Sequence, residues 1–255
     1  MNRRQIFSLP LGLGAAAMLT PAQVKAKGGK PKNIIFCVSD GMSPGVLMMA
    51  EYFSQIARGK GTRWAAMMND MTASRGVQDV AALNSPVTDS SSSASAWGSG
   101  SRINNAAVNT LPDGTKLTPI MQLAKQAGRK TALVTTATVT HATPAGFAAV
   151  QPSRDDEHLI GLQYKGRVDY VLGGGQRFFL QNKRKDKLDA MAEFSQAGYQ
   201  IVKTRAELNA ASKAKPVLGL FSDSHVPYTI DKVDVPTLAE MTSFTLDALS
   251  KSSPK

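Results

Sequence analysis

Short apolar or β-branched runs alternate with stretches of helical spacing along most of this 255-residue chain, and that alternation limits the folds open to it. The spacing predicts strands near 33–39, 71–78, 130–136, 168–172, 199–202 and 216–221. Helices are expected near 44–57, 90–98, 117–127, 186–197 and 236–250. Continuous apolar strands alternating with helices pair in parallel, because each helix carries the chain back across the sheet, and the helices then cover both faces. The expected class is therefore α/β, a largely parallel sheet with helices on both faces. Residues 31–250 suit one domain of this kind in length. The stretch 251–255 offers nothing to pack and is expected to fray.

Two segments carry residues suited to chemistry. The run Asn33-Ile34-Ile35-Phe36-Cys37-Val38-Ser39 ends in Asp40-Gly41-Met42. Ligand chemistry in open α/β sheets gathers at the carboxyl ends of strands, which makes Asp40 a candidate metal ligand. Asp40 is also placed to cap the helix that begins near Ser43. The second segment, residues 85–102, sets Asp89 directly before Ser90 in a run of small residues. A Ser-rich run is ordinarily a loop or linker. A helix starting there would instead put Ser90 in the positive field of its N-terminus, where phosphate oxygens are favoured.

Taken together, Asp40-Gly41-Met42 and Val87-Thr88-Asp89-Ser90-Ser91-Ser92-Ser93-Ala94-Ser95-Ala96-Trp97 resemble the alkaline phosphatases, with Ser95 where that family usually has Thr. Further segments are similar in the same order: Thr140-His141-Ala142-Thr143-Pro144-Ala145, Gln151-Pro152-Ser153-Arg154, and Val168-Asp169-Tyr170-Val171-Leu172-Gly173-Gly174-Gly175. The resemblance runs from about Pro31 to Ser250. It implies an alkaline-phosphatase-like fold, truncated relative to the family, and metal-dependent hydrolysis of phosphate monoesters through a phosphoserine at Ser90. Arg154, oriented by Asp89, would bind the phosphate, where a guanidinium fork gives two parallel hydrogen bonds to a tetrahedral anion. Asp40 would hold zinc and, with Thr143, magnesium, and His141 would stand close to the magnesium. Read without the resemblance, His141 is a cap or a loop histidine, Thr143 is a helix cap before Pro144, and Arg154 is a surface cation.

The family's zinc histidines lie in a C-terminal half that residues 1–255 do not match. The histidines here, His141, His158 and His225, stand in no zinc-ligand motif, and a zinc site needs at least three protein ligands. Two expectations follow: a phosphatase impaired in this truncated form, or a non-catalytic remnant that at most binds phosphate. The glycines at 173–175 are not followed by Gly-Lys-Ser/Thr, so no P-loop is expected, and they read as turn residues.

Arg3-Arg4, the short apolar stretch after them and Ala26 read as a twin-arginine-type export signal over residues 1–26, implying a periplasmic or secreted protein. That stretch is too short to span a bilayer. The single cysteine excludes an intrachain disulfide, and its place mid-strand predicts a buried Cys37. The formal charge of +11 falls to +8 once Arg3, Arg4 and Lys25 leave with residues 1–26 (27 Lys and Arg against 19 Asp and Glu), a surplus that would steer anionic substrates. No aromatic-basic platform or recognition-helix motif accompanies it, so no specific nucleic acid is expected. A homodimer stays open.

Overall fold

The computed structural model describes residues 33–231 and 233–252 of the chain, in two units divided at Ser39/Asp40. In the first unit, residues 33–39 form no regular secondary structure and are exposed. The strand expected there is therefore not formed, and Cys37 is exposed rather than buried. An apolar run becomes a strand only when a neighbouring strand completes its hydrogen-bond ladder, and 33–39 takes no part in the sheet described below. The export segment, 1–26, lies outside the described residues.

The second unit opens with two helices. Helix α1 (Pro44–Arg58) starts with Pro44 in its first turn and ends at Gly59, which is left-handed (φ 66°) and donates its N–H to the Gln55 carbonyl. Helix α2 (Arg63–Asn69) is capped by Thr62 and tied to α1 where the Thr62 amide and hydroxyl both donate to Glu51 (2.6 and 2.7 Å). The strand expected near 71–78 is absent: the Asp70 carboxylate accepts from the amide and hydroxyl of Thr72, folding the chain into a turn instead.

The remaining elements are α3 (Ser90–Ser99), α4 (Ile120–Gln126), β1 (Ala132–Thr138), α5 (Ala142–Ala148), α6 (Glu157–Leu162), β2 (Tyr170–Gly174), α7 (Ala190–Gln196), β3 (Gln200–Val202), α8 (Arg205–Ala210), β4 (Val217–Leu220) and α9 (Leu238–Ser252). The strands form one parallel sheet in the order β1-β2-β4-β3, with Tyr170 paired to Ala132 on one side and Val217 on the other. Helix α9 carries regular structure through Ser252, two residues into the stretch expected to fray.

Alternation along the buried strands splits the core between the two faces. Val171, Leu218 and Leu220 pack with Ala145, Ala148 and Phe194, from α5 and α7. Tyr170, Leu172 and Val217 pack with Leu208, Met241 and Phe244, from α8 and α9. This is the predicted α/β architecture, a parallel sheet with helices on both faces.

The contact that matters most for the site is α3 against α5. A Cβ on Gly98 would lie 2.0 Å from the Gly146 carbonyl oxygen, and one on Gly146 would lie 2.6 Å from Ala94, so the two backbones touch where glycines cross. Ser95 is fully buried at this crossing and accepts the Asn109 amide at 3.0 Å, so the hydroxyl is what this position uses.

Candidate active site

Four consecutive serines open α3, and hydrogen bonding separates them. Asp89 is the N-cap, its side chain accepting the Ser92 amide at 2.8 Å. Ser91 gives its hydroxyl back to Asp89 (2.7 and 2.8 Å), Ser92 is bonded to Thr88 and Asn105, and Ser93 donates to the Asp89 carbonyl. All three are buried. Ser90, the first helical residue, is partly exposed and donates to both oxygens of Asp40 (3.1 and 3.0 Å). A nucleophile must be accessible and next to a group that can accept its proton or hold a cation, and within this run only Ser90 is both.

Asp40 sits on the turn before α1, whose N-cap is Ser43, so it is not the cap of that helix. It also accepts the Thr143 hydroxyl at 2.8 Å, across 103 residues of sequence. Thr143 lies in the first turn of α5, whose N-cap position is His141, and neither residue makes a side-chain capping bond. One carboxylate and two hydroxyls therefore converge. An all-oxygen set of this kind suits a hard divalent cation that retains waters, as magnesium does. It is a partial set for zinc, and among the described residues no three His, Cys, Asp or Glu side chains are grouped to hold a metal.

Arg154 reaches Asp89 from the loop before α6, with Nη1 donating at 3.0 Å. Burial alone would raise the Asp89 pKa. The Ser92 amide, the Ser91 hydroxyl, the Ala106 amide and Arg154 reverse that and hold the carboxyl well below the usual carboxylate range. Arg154 Nη2 faces His141 Nε2 at 3.4 Å. A guanidinium has only donors, so Nε2 is the accepting nitrogen and the His141 proton sits on Nδ1. Burial, and then the Arg154 charge, lower the His141 pKa, which favours this neutral form.

All six residues expected from the sequence thus fall in one cluster: Asp40, Asp89, Ser90, His141, Thr143 and Arg154. The structure adds three the sequence reading passed over. His225 accepts the Thr138 amide at 3.1 Å and meets the His141 ring edge-on at 5.9 Å. Glu157 takes the hydroxyls of Thr138 and Thr140. Arg177 stands beside them, anchored through Nε to the Asp223 carbonyl at 3.0 Å. Thr138 and His225 follow strands that were foreseen, so the rule placing ligands at strand carboxyl ends could have marked them. The glycine turn serves the same region: a Cβ on Gly174 would strike the Ser224 carbonyl at 2.0 Å, so glycine lets the loop carrying His225 close over β2.

Residues 31–254 match the family model described as alkaline phosphatase. The alkaline phosphatase of Schizosaccharomyces pombe is 36% identical over 242 residues, 88% of this chain and 45% of that protein. The crystal structure of Thermus thermophilus alkaline phosphatase superposes with a TM-score of 0.80 at 36% identity, over 84% of this chain and 46% of that one. A mutant of the TAB5 alkaline phosphatase with Mg bound is similar at a TM-score of 0.67 and 27% identity, over 80% of this chain and 57% of that one. The chain spans about half the length of the curated relatives it matches. With its fold, its parallel sheet and the Asp40–Ser90–Thr143 and Asp89–Arg154 pairings in the matched span, this chain belongs to the alkaline phosphatase family.

Proposed function

We propose that the chain carries the nucleophile side of a phosphate monoester hydrolase site, with Ser90 as nucleophile and Arg154 as phosphate ligand. The observation that carries this reading is the selective pairing of the Ser90 hydroxyl with Asp40 while its three serine neighbours bond elsewhere. Asp40 with Ser90 would hold zinc, and Asp40 with Thr143 would hold magnesium. When bound, such cations supply positive charge that lowers the pKa of a serine hydroxyl and offsets charge on the phosphoryl oxygens. Ser90 Oγ, held by Asp40, loses its hydroxyl proton and attacks phosphorus in line; the new O–P bond forms as the ester O–P bond breaks, and the proton that Ser90 gives up ends on the leaving oxygen. Arg154, fixed by ionised Asp89, binds two non-reacting oxygens as charge builds on them. Water then cleaves the phosphoserine, returning Ser90 and phosphate. His141, neutral and accepting from Arg154, steadies the guanidinium. Export through residues 1–26 to the periplasm or medium belongs to the same reading.

The partial ligand set favours a second reading, phosphate binding without turnover. The chain refolded with the C-terminal half of a family relative, in zinc and magnesium, separates the two. Aryl phosphate turnover that falls by at least about a thousandfold in Ser90→Ala supports the first. Arg154→Ala should cost about a hundredfold, with KM raised, because Ser90 and Asp40 remain. Residues 1–255 alone should hydrolyse barely above background, and robust zinc-dependent turnover by them, lost in Ser90→Ala, would show the partial set to be sufficient. Binding of phosphate with no turnover in the completed enzyme would establish the second reading.

A further inference from the structure

A cavity of about 250 Å³ adjoins Arg154 and is separate from the nucleophile: Ser90, Asp40 and Thr143 do not line it. Its walls include Thr138, His141, Arg154, Glu157, Arg177 and His225, contributed by the carboxyl ends of β1 and β4, the glycine turn after β2 and the start of α6. Arg177 spends Nε on Asp223, and its two terminal nitrogens make no hydrogen bond among the described residues. Because the Thr138 amide donates to His225 Nδ1, neutral His225 carries its proton on Nε2. His141 Nδ1, the protonated nitrogen, is buried with no partner among the described residues. The acidic groups are largely spent: one oxygen of Glu157 accepts two threonine hydroxyls, Asp223 is shared between Arg177 and Lys183, and Asp155 lies exposed at the rim.

Unspent donors therefore exceed unspent acceptors, led by the terminal nitrogens of Arg177, a guanidinium whose fork matches a tetrahedral oxyanion, while Arg154 adds only the N–H groups that Asp89 and His141 leave over. The volume lies below that of ordinary small-molecule pockets, about 300–1,000 Å³, so the occupant is compact. We propose that this cavity is a second phosphoryl-binding subsite, centred on Arg177 and His225 and sharing Arg154 with the Ser90 site. The proposal rests on the reading of Arg154 as a phosphate ligand. Its occupant is either free phosphate or a second phosphoryl group on a substrate whose first lies at Ser90.

Isothermal titration of the full chain with inorganic phosphate, then with a pentose monophosphate and a bisphosphate of the same pentose, tests it. The expected result is two phosphates per chain, one of them lost in Arg177→Gln and weakened but still present in Arg177→Lys, which keeps the charge and loses the fork. Retention in the lysine variant shows that charge, not folding, is being read, since the Arg177 side chain is 43% exposed. A bisphosphate that binds at least about tenfold tighter than the monophosphate, with that advantage lost in Arg177→Gln, assigns the subsite to the substrate's second group. Two phosphates without that advantage assign it to free phosphate. One phosphate per chain, unaffected by Arg177→Gln and abolished by Arg154→Gln, overturns the subsite and leaves the Ser90–Arg154 reading standing. No phosphate binding at all overturns both.

Discussion

Asp89 and Asp169 show how two carboxylates in one chain are held ionised for different ends. Asp89 is fixed by the Ser92 amide, the Ser91 hydroxyl and Arg154, so its charge holds that guanidinium in place. Asp169, 5% exposed at the start of β2, accepts Lys125 (2.6 Å), Lys130 (3.1 Å) and the Thr131 amide (3.0 Å), and it ties the amino ends of β1 and β2 together. Burial raises its pKa, but the two lysines and the amide more than offset that and lower it. A carboxyl depressed in the folded state contributes stability above its unfolded pKa, and that contribution is lost as pH falls through the folded value. Asp169→Asn should therefore lower stability by about 2 kcal/mol at pH 7. The difference from wild type should shrink as pH drops below about 4, the unfolded aspartate pKa. Denaturant unfolding at pH 7 and pH 3 checks this, and an equal loss at both would show that the charge is not what Asp169 supplies.

The α3–α5 crossing brings Ser90 and Thr143 to the same carboxylate, and it depends on two missing side chains. Gly98→Ala would drive a methyl into the Gly146 carbonyl, so the helices must separate, at a cost of about 2–3 kcal/mol. The variant should show a lower thermal midpoint together with weaker phosphate binding, because the spacing between α3 and α5 sets the spacing of the cluster. A normal midpoint would mean that the crossing yields without loss. How far such elements can be read from sequence depends on how local their causes are. The strands 132–138, 170–174, 200–202 and 217–220 and the long helices were visible because β-branched runs, helical spacing and Pro44 are local signals. Helix α5 is signalled only by Thr143 as a cap before Pro144, and α2, α6 and α8 carry no expectation, since six or seven residues are too few for periodicity. The strand at 33–39 failed for the opposite reason, its apolar pattern being real but its ladder requiring a partner that no local signal supplies. In the site, the motif residues were legible by resemblance. The choice of Ser90 over Ser91, Ser92 and Ser93 had a physical basis only once the hydrogen bonds were known, and His225 became visible only when the chain folded it against Thr138.

Exposed apolar surface in the second unit concentrates on its first two helices. Met49, Phe53 and Ile56 on α1 are 70%, 64% and 86% exposed, Met67 on α2 is 66% exposed, and α1 buries only Ser54. A helix so apolar and so little buried is expected to associate with other apolar surface. The chain should bind a dye that reports exposed hydrophobic groups and elute above its monomer mass, and Phe53→Gln with Ile56→Gln should reduce both. A dye-silent monomer would show that this surface is tolerated as it stands. One residue out of the run of four, Ser90, is the proposed site of phosphoryl transfer. Acid quenching of the completed enzyme during aryl phosphate turnover, followed by peptide mass mapping across 85–102, tests that assignment most directly. A single phosphoryl group on Ser90, absent in Ser90→Ala, is the predicted result. Phosphate on Ser91, Ser92 or Ser93, or turnover with no phosphoserine at all, would contradict it.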